Sequence, residues 1–320
     1  MRALLPRRAQ LRRAAWLLVA IVGLCVLWEL YKLVMPDDGV SIGDTLVLPR
    51  TDDASMPHIS DIIGTFDDPE VAGAAQATTV GSAVASAAWY SLRLAAAGFA
   101  FGSLVGFALA LLMQRVRIAE RALMPWAVLS QTVPLIALAP LVYGWGANLT
   151  LFGLDWKPWM SVSIISAYLA FVPVTVGALR GLQSPPTVQT ELLACYAASW
   201  WQTIVRLRLP AAVPYLVPAL KLAAASAVIG AIVAEISTGL SGGIGRLIIT
   251  YAQQATGDPA RVFAPVIGAA VMGIVAVGSI SVADVALRRF QGAPEPSAEP
   301  DIPASVGGGP LMRPWRTQRG

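Results

Sequence analysis

The chain has 320 residues, 56% of them hydrophobic and only 13% charged, where a soluble domain carries about 25% charged residues. That balance excludes a soluble single-core protein and points to burial in a membrane. The formal net charge of +4 does not indicate nucleic acid, because the basic residues sit in short blocks between apolar runs and form no aromatic-basic face.

In chain order, a basic leader with Arg2, Arg7, Arg8, Arg12 and Arg13 precedes an apolar run at 14–34. No small-x-small cleavage site follows, so this run is expected to be an uncleaved first span, with 1–35 forming the N-terminus and first helix. Residues 36–85 form a long acidic connection, with a short amphipathic helix expected at HISDIIGTF. Further runs of roughly 20 residues, enough to cross a ~30 Å hydrocarbon core, fall at 88–112, 123–146, 159–179, 212–235 and 262–287. The expected fold is an all-α membrane protein with six transmembrane helices, its core at 86–290. Pro134, Pro140 and Pro173 lie inside the third and fourth runs, where neighbouring helices can satisfy the freed carbonyls. Residues 291–320, rich in Pro and Gly, read as a disordered tail.

Arginines set the sidedness. Arg115, Arg117 and Arg121 follow the second span, Arg180, Arg206 and Arg208 bracket the connector at 181–210, and Arg288 and Arg289 follow the sixth span. Alternate connections carry only Arg50, Lys157, Arg246 and Arg261. The positive-inside rule therefore places both termini and 181–210 in the cytoplasm and 36–85 outside, in a multi-pass protein of the cell (inner) membrane.

The connector contains ELLACYAASWWQTIVRLRLP, residues 191–210. Ser184-Pro185-Pro186 suits a helix start. From there Leu192, Tyr196 and Trp200 share one helical face, with Leu193 and Trp201 beside it. Pro210 biases Leu209 toward an extended backbone. Such an aromatic stripe must bury itself against lipid headgroups, the protein's own helices or a partner.

The segment resembles the EAA loop of the integral-membrane permease subunits of ABC importers: Glu-Ala-Ala, a glycine six residues after the Glu, and a terminal Ile-x-Leu-Pro. Glu191 takes the Glu position, Leu192 and Leu193 replace the alanines, Ala197 replaces the glycine, and Leu207-Arg208-Leu209-Pro210 matches the end. YSLRLAAAGFAFGSLVGFALALLM, QTVPLIALAPLVYGWG and AEISTGLSGGIGRLI are similar to the nitrate/sulfonate/taurine-type permeases, a branch that includes carriers of thiamine-precursor pyrimidines. The resemblance implies a type I ABC importer permease fold and a translocation path for a small solute. It implies as partners cytoplasmic ABC ATPase subunits, an extracytoplasmic substrate-binding protein and a second copy of the chain, within membrane lipid. Glu191, Leu192, Leu193, Tyr196, Ala197, Trp200, Leu207, Leu209 and Pro210 would then form the ATPase-coupling loop. A glycine at position 197 would permit a left-handed turn between two short helices, at which Ala197 would cost about 1 kcal/mol or more. Either the turn stays right-handed or the loop docks at a different angle.

Other features have plainer readings. Gly98, Gly102 and Gly106 form a close helix-packing face. Arg93 would snorkel, with Glu235 its partner or merely solvated, and Lys221 would reach the cytoplasmic interface. Gly239, Gly242, Gly243 and Gly245 form a Gly-rich outer turn. Ser130, Gln131, Thr132, Pro134, Ser163 and Ser166 either line the path or bond between helices. Cys25 and Cys195 make no disulfide framework, His58 stands alone, and no Gly-rich cradle ends in Gly-Lys-Ser/Thr. No metal, no cofactor and no ATP site of its own are expected; ATP hydrolysis would belong to a partner subunit. The rival functions are an ion-coupled secondary transporter, which would want more mid-membrane ionisable groups than Lys221, and a non-transporting membrane scaffold. Impermeant thiol reagents applied to intact cells should label cysteines placed in 36–85 and spare those in 181–210; the reverse pattern would overturn the orientation.

Overall fold

The computed structural model describes residues 5–42, 45–70, 78–151 and 154–291. Helix α1 (Leu5–Val34) covers the expected first span. Trp16, Val19, Val22, Leu27 and Leu30 along it are exposed, an apolar surface suited to lipid. Its last turn is tied to the chain that follows. Trp28 Nε1 donates to Pro57 O at 3.2 Å, and Lys32 Nζ donates to Asp53 Oδ1 and Met56 O, each at 2.5 Å. The hydrogen bond from Lys32 holds the Asp53 carboxyl below its ordinary range.

In the connection to the next span, an antiparallel hairpin of β1 (Val40–Ile42) and β2 (Thr45–Leu48) was not legible in the sequence. Helix α2 (Ile59–Gly64) forms where HISDIIGTF predicted it and tightens into a 3₁₀ turn through Asp67.

Helix α3 (Val80–Arg115) begins with the Thr79 side chain accepting the Ser82 N–H. The third expected span, 123–146, is not one helix. It is broken into α4 (Arg117–Ser130) and α5 (Leu135–Gly146), bent by 99°. Pro134 lacks an N–H and disfavours the helical conformation at Val133. The Ser130 and Thr132 hydroxyls donate to carbonyls three residues back, which favours a turn there. A second small hairpin, β3 (Thr150–Leu151) with β4 (Leu154–Asp155), leads to α6 (Pro158–Leu182). Then follow α7 (Thr187–Cys195), α8 (Trp200–Thr203) and α9 (Leu209–Thr238), and finally α10 (Ile244–Gln253) and α11 (Phe263–Gln291). Residues 1–281 form one compact unit and 282–320 a second, of which the helical residues to 291 are described. The tail expected at 291–320 lies, beyond Gln291, outside the described residues.

Among the described residues, Val80–Arg115, Pro158–Leu182, Trp200–Thr238 and Ala260–Ala286 are each long and apolar enough to cross a membrane. The bent α4–α5 pair makes a fifth if it counts as one span. Topology supports counting it. Gly98, Gly102 and Gly106 meet successively later residues of α6, so α3 and α6 run parallel. The chain between two parallel spans must return across the layer, and α4–α5 is that chain.

The core is α3, α6 and α9. A Cβ on Gly98 would lie 2.4 Å from Ser163 O, on Gly102 2.6 Å from Ala167 O, and on Gly106 2.5 Å from Phe171 O. Against α9, Gly181 faces Ala212, Gly177 faces Ala219, and Gly230 of α9 faces Ser166, which Gly98 of α3 also meets. Small residues at the contacts let the backbones approach to a distance no larger side chain would permit. The packing face read from the glycine spacing is therefore present. Gly102→Leu should force α3 off α6, and overpacking of this kind costs about 1–3 kcal/mol or more; detergent-extracted protein should show a lowered unfolding temperature, whereas Gly144→Leu, where no atom lies within 4 Å of an added Cβ, should not.

Candidate functional site

The connector from Gln183 to Arg208 leaves the bundle at the C-terminal ends of α3 and α6. At the opposite end of α3, about 54 Å away at 1.5 Å per residue, the Val80 N–H donates to Asp68 O and Gly81 lies against Phe66. The acidic connection and the 181–210 connector are thus at opposite ends of the bundle.

Helix α7 starts at Thr187 with Pro186 as an extended N-cap, slightly later than Ser184-Pro185-Pro186 suggested. None of its residues is buried. It ends sharply. The Ala198 N–H donates to Leu193 O and the Ala197 N–H to Ala194 O, with Ala197 at φ +51°. This is a Schellman motif whose left-handed position is usually glycine. The turn is therefore left-handed, not right-handed, and Ala197 adopts it despite its Cβ. Ser199 then caps α8 in a reciprocal box: its hydroxyl accepts the Gln202 N–H and the Gln202 side chain accepts the Ser199 N–H.

This turn corrects the single amphipathic face. Leu192 and Tyr196 stay on an exposed surface, joined by Val188 one turn earlier, and Tyr196 is 77% exposed. Trp200 turns inward. Its Nε1 donates to Gln114 Oε1 at 3.1 Å, the Arg115 guanidinium lies 4.9 Å from its ring centroid, and it packs on a cluster holding Met113, Leu182 and Ile204. Trp201, 61% exposed and edge-on to Trp200 at 4.9 Å, takes the outward place instead. Glu191 is exposed and Leu193 half-buried.

Pro210 does not end the helix either. Leu209 is helical at φ −67°, ψ −46°, half-buried like Leu207, while Pro210 is exposed. Ile204–Arg208 form a π-helical turn in which the Leu209 N–H reaches back to Ile204 O. The wider turn makes room for the proline ring, which would clash with a carbonyl four residues earlier in an α-helix. Arg208 Nη1 donates to Leu182 O, and Ser184 Oγ bonds both Gly181 O and Ala211 O. Both ends of the connector are therefore fastened to α6 and α9.

The residues proposed for a path separate into two groups. Ser163 and Ser166 are buried between helices: Ser163 Oγ donates to Leu94 O across to α3 and Ser166 Oγ to Val162 O within α6. Their surroundings are backbone, not an opening. Gln131, Thr132 and Pro134 are exposed at the α4–α5 break. The break is pinned to the middle of α6, where Gln131 Nε2 donates to Tyr168 O at 3.3 Å and the Tyr168 hydroxyl donates to Ser130 O.

Sequence reading missed one site. Glu235 is fully buried, neither solvated nor paired with Arg93. Ser91 Oγ lies 2.7 and 2.8 Å from its two oxygens. The Gly245 N–H donates to Oε2 at 2.9 Å, and the Ile244 N–H donates to Ser91 Oγ at 2.8 Å. A carboxylate at the first turn of α10 meets unpaired N–H groups and the positive end of the helix dipole. Gly243 lies against this carboxyl group, 2.3 Å from it for an added Cβ, so the Gly-rich turn is the space Glu235 needs. The signal available was the Glu-to-glycine spacing in AEISTGLSGGIGRLI. Lys221 is half-buried and makes no ion pair among the described residues.

The chain is thus a bundle of long apolar helices with one sharply bent helix pair and an amphipathic elbow fastened at one end, the build of a membrane protein. Residues 98–291 match the model of the binding-protein-dependent transport system inner membrane component family. The chain belongs to that family and is an ABC transporter permease of the membrane. It is 34% identical over 190 residues to a formylaminopyrimidine transport permease protein of Halalkalibacterium halodurans, covering 59% of this chain and 71% of the relative. It is 36% identical over 152 residues to a probable ABC transporter permease protein of Haemophilus influenzae, covering 48% and 58%. A putative aliphatic sulfonates transport permease protein of Bacillus subtilis is 28% identical over 183 residues, covering 57% and 62%. The chain thus spans under two thirds of the length of the last two.

Two substitutions test the elbow. Ala197→Gly should raise the unfolding temperature, since a left-handed alanine costs about 1 kcal/mol. Trp200→Ala should lower it by removing about 2–3 kcal/mol of packing and a hydrogen bond.

Proposed function

We propose that this chain is a membrane subunit of an ATP-driven importer and that its connector transmits force from a separate ATPase. The observation that carries the proposal is the elbow at 187–208. It offers Val188, Leu192, Tyr196 and Trp201 outward, while Trp200, Arg208 and Ser184 fasten it to three core helices. A helix with an exposed apolar face docks in a groove on a partner. Because its base is fixed to α3, α6 and α9, displacement of the docked face becomes rigid-body movement of those helices. Glu191 supplies a polar contact at the edge of the face.

In this reading α1, α3, α4–α5, α6, α9 and α11 are six spans of a type I permease, with both termini and the elbow cytoplasmic and 36–85 outside. A second copy completes the path, and an extracytoplasmic binding protein delivers the solute. Ser130, Gln131, Thr132 and Pro134 line the path at the broken span, because polar backbone at membrane depth must face protein or water. Ser163 and Ser166 support that wall from behind. The names of two relatives, a formylaminopyrimidine permease and a putative aliphatic sulfonates permease, favour a small solute of one of these kinds. The chain is a permease without an ATP site, and hydrolysis belongs to its partner.

Leu192→Asp and Tyr196→Ala should each weaken retention of the ATPase on affinity-purified permease at least tenfold, since truncated interface anchors cost about 2 kcal/mol or more. The unfolding temperature of the isolated permease should not move. Glu191→Ala should cost ~1 kcal/mol or less in retention yet reduce substrate-stimulated hydrolysis. Wild-type retention and stimulation in all three variants would favour the scaffold reading, and uptake driven by an ion gradient without ATPase would favour the secondary transporter.

A further inference from the structure

A cleft of about 280 Å³ opens between α3, α9 and α11. Its wall is apolar, with Leu92, Ala96 and Phe99 facing Val228 and Val275, and its polar side chains are Arg93, Ser279 and the indole of Trp89. Ser279 Oγ is spent on Ala276 O. Arg93 is exposed, and its one contact among the described residues is the Tyr90 ring, 5.7 Å from the guanidinium carbon. Glu235, bonded to Ser91 two residues before Arg93, is already held by Ser91 and Gly245.

Arg93 lies five residues inside the apolar run beginning at 88, or about 7.5 Å along the helix. A guanidinium on the lipid-facing surface at that depth turns toward the interface. The anion available there is a lipid phosphate, whose oxygens match the guanidinium fork. Trp89, 61% exposed, lies one turn nearer the helix end, where indoles sit at headgroup level. A second copy packing through α3 would bring no carboxylate to Arg93, since α3 carries no Asp or Glu, and would leave the guanidinium buried unpaired.

We infer that this cleft binds one phospholipid with an anionic headgroup, its phosphate on Arg93, its headgroup beside Trp89 and one acyl chain between α3, α9 and α11. A zwitterionic headgroup binds more weakly because its own cation competes with Arg93 for the phosphate. The leaflet follows the orientation proposed above, but the contact does not depend on it.

The test is native mass spectrometry of the full chain released from nanodiscs of equal phosphatidylglycerol and phosphatidylcholine. Wild type should retain one phosphatidylglycerol, with a preference of about fivefold from one interfacial arginine. Arg93→Gln should abolish the preference and Arg93→Lys should keep part of it. Ala96→Phe, which fills the cleft and leaves the charge, should reduce retention of both lipids. Equal retention of the two lipids by wild type, or an unchanged preference in Arg93→Gln, overturns the proposal. So does a disulfide-linked dimer formed through Ser279→Cys in a chain with Cys25→Ser and Cys195→Ser, since the cleft would then be an interface between copies.

Discussion

The close approach of α3, α6 and α9 is the constraint on which the other features rest. In lipid there is no hydrophobic gain from bringing two apolar helices together, so association depends on packing and on hydrogen bonds between helices. Gly98, Gly102 and Gly106 bring α3 within van der Waals contact of the α6 backbone. Gly177 and Gly181 do the same for α6 and α9. The polar groups at these contacts are satisfied locally: Ser163 bonds Leu94 O, and Ser91 bonds Glu235. Such a core has little slack.

That close packing is what the proposed coupling through the connector would act on. A surface helix joined by flexible chain would transmit no displacement. Here Arg208 holds the carbonyl end of α6, Ser184 bridges α6 and α9, and Trp200 is clamped between Gln114 and Arg115 of α3. The π-helical turn before Pro210 keeps α8 and α9 mechanically continuous where an ordinary helix would have broken. At the other end of the bundle, Glu235 fastens the start of α10 to α3 and α9, which couples the Gly-rich turn to the same core. The broken α4–α5 span packs on this core as well: Ala139, Leu135 and Val142 of α5 join the cluster of Val162, Ile165 and Val228, Leu123 and Met124 of α4 lie on the Met113–Leu182 cluster, and Tyr168 holds the break.

The sequence by itself determined the membrane class, the glycine packing face, and the four runs at 88–112, 159–179, 212–235 and 262–287 that lie in helices long and apolar enough to cross a membrane. These follow from composition, from apolar run length and from side-chain periodicity, all local properties of the chain. The short helix at HISDIIGTF was legible for the same reason. Tertiary structure alone decided which way individual side chains point. Trp200 and Trp201 are adjacent and alike, and only the left-handed turn at Ala197 sends the first inward and the second out. The turn itself could not be read with alanine in place of glycine, because the Schellman hydrogen bonds and the Ser199 capping box that hold it are formed only once both short helices exist. Glu235 looked like a solvated carboxylate at a span end. Burial became possible only because Ser91, 144 positions earlier in sequence, and the first turn of α10 converge on it; the Glu-to-glycine spacing marks the room left for the carboxylate but not which helices meet there.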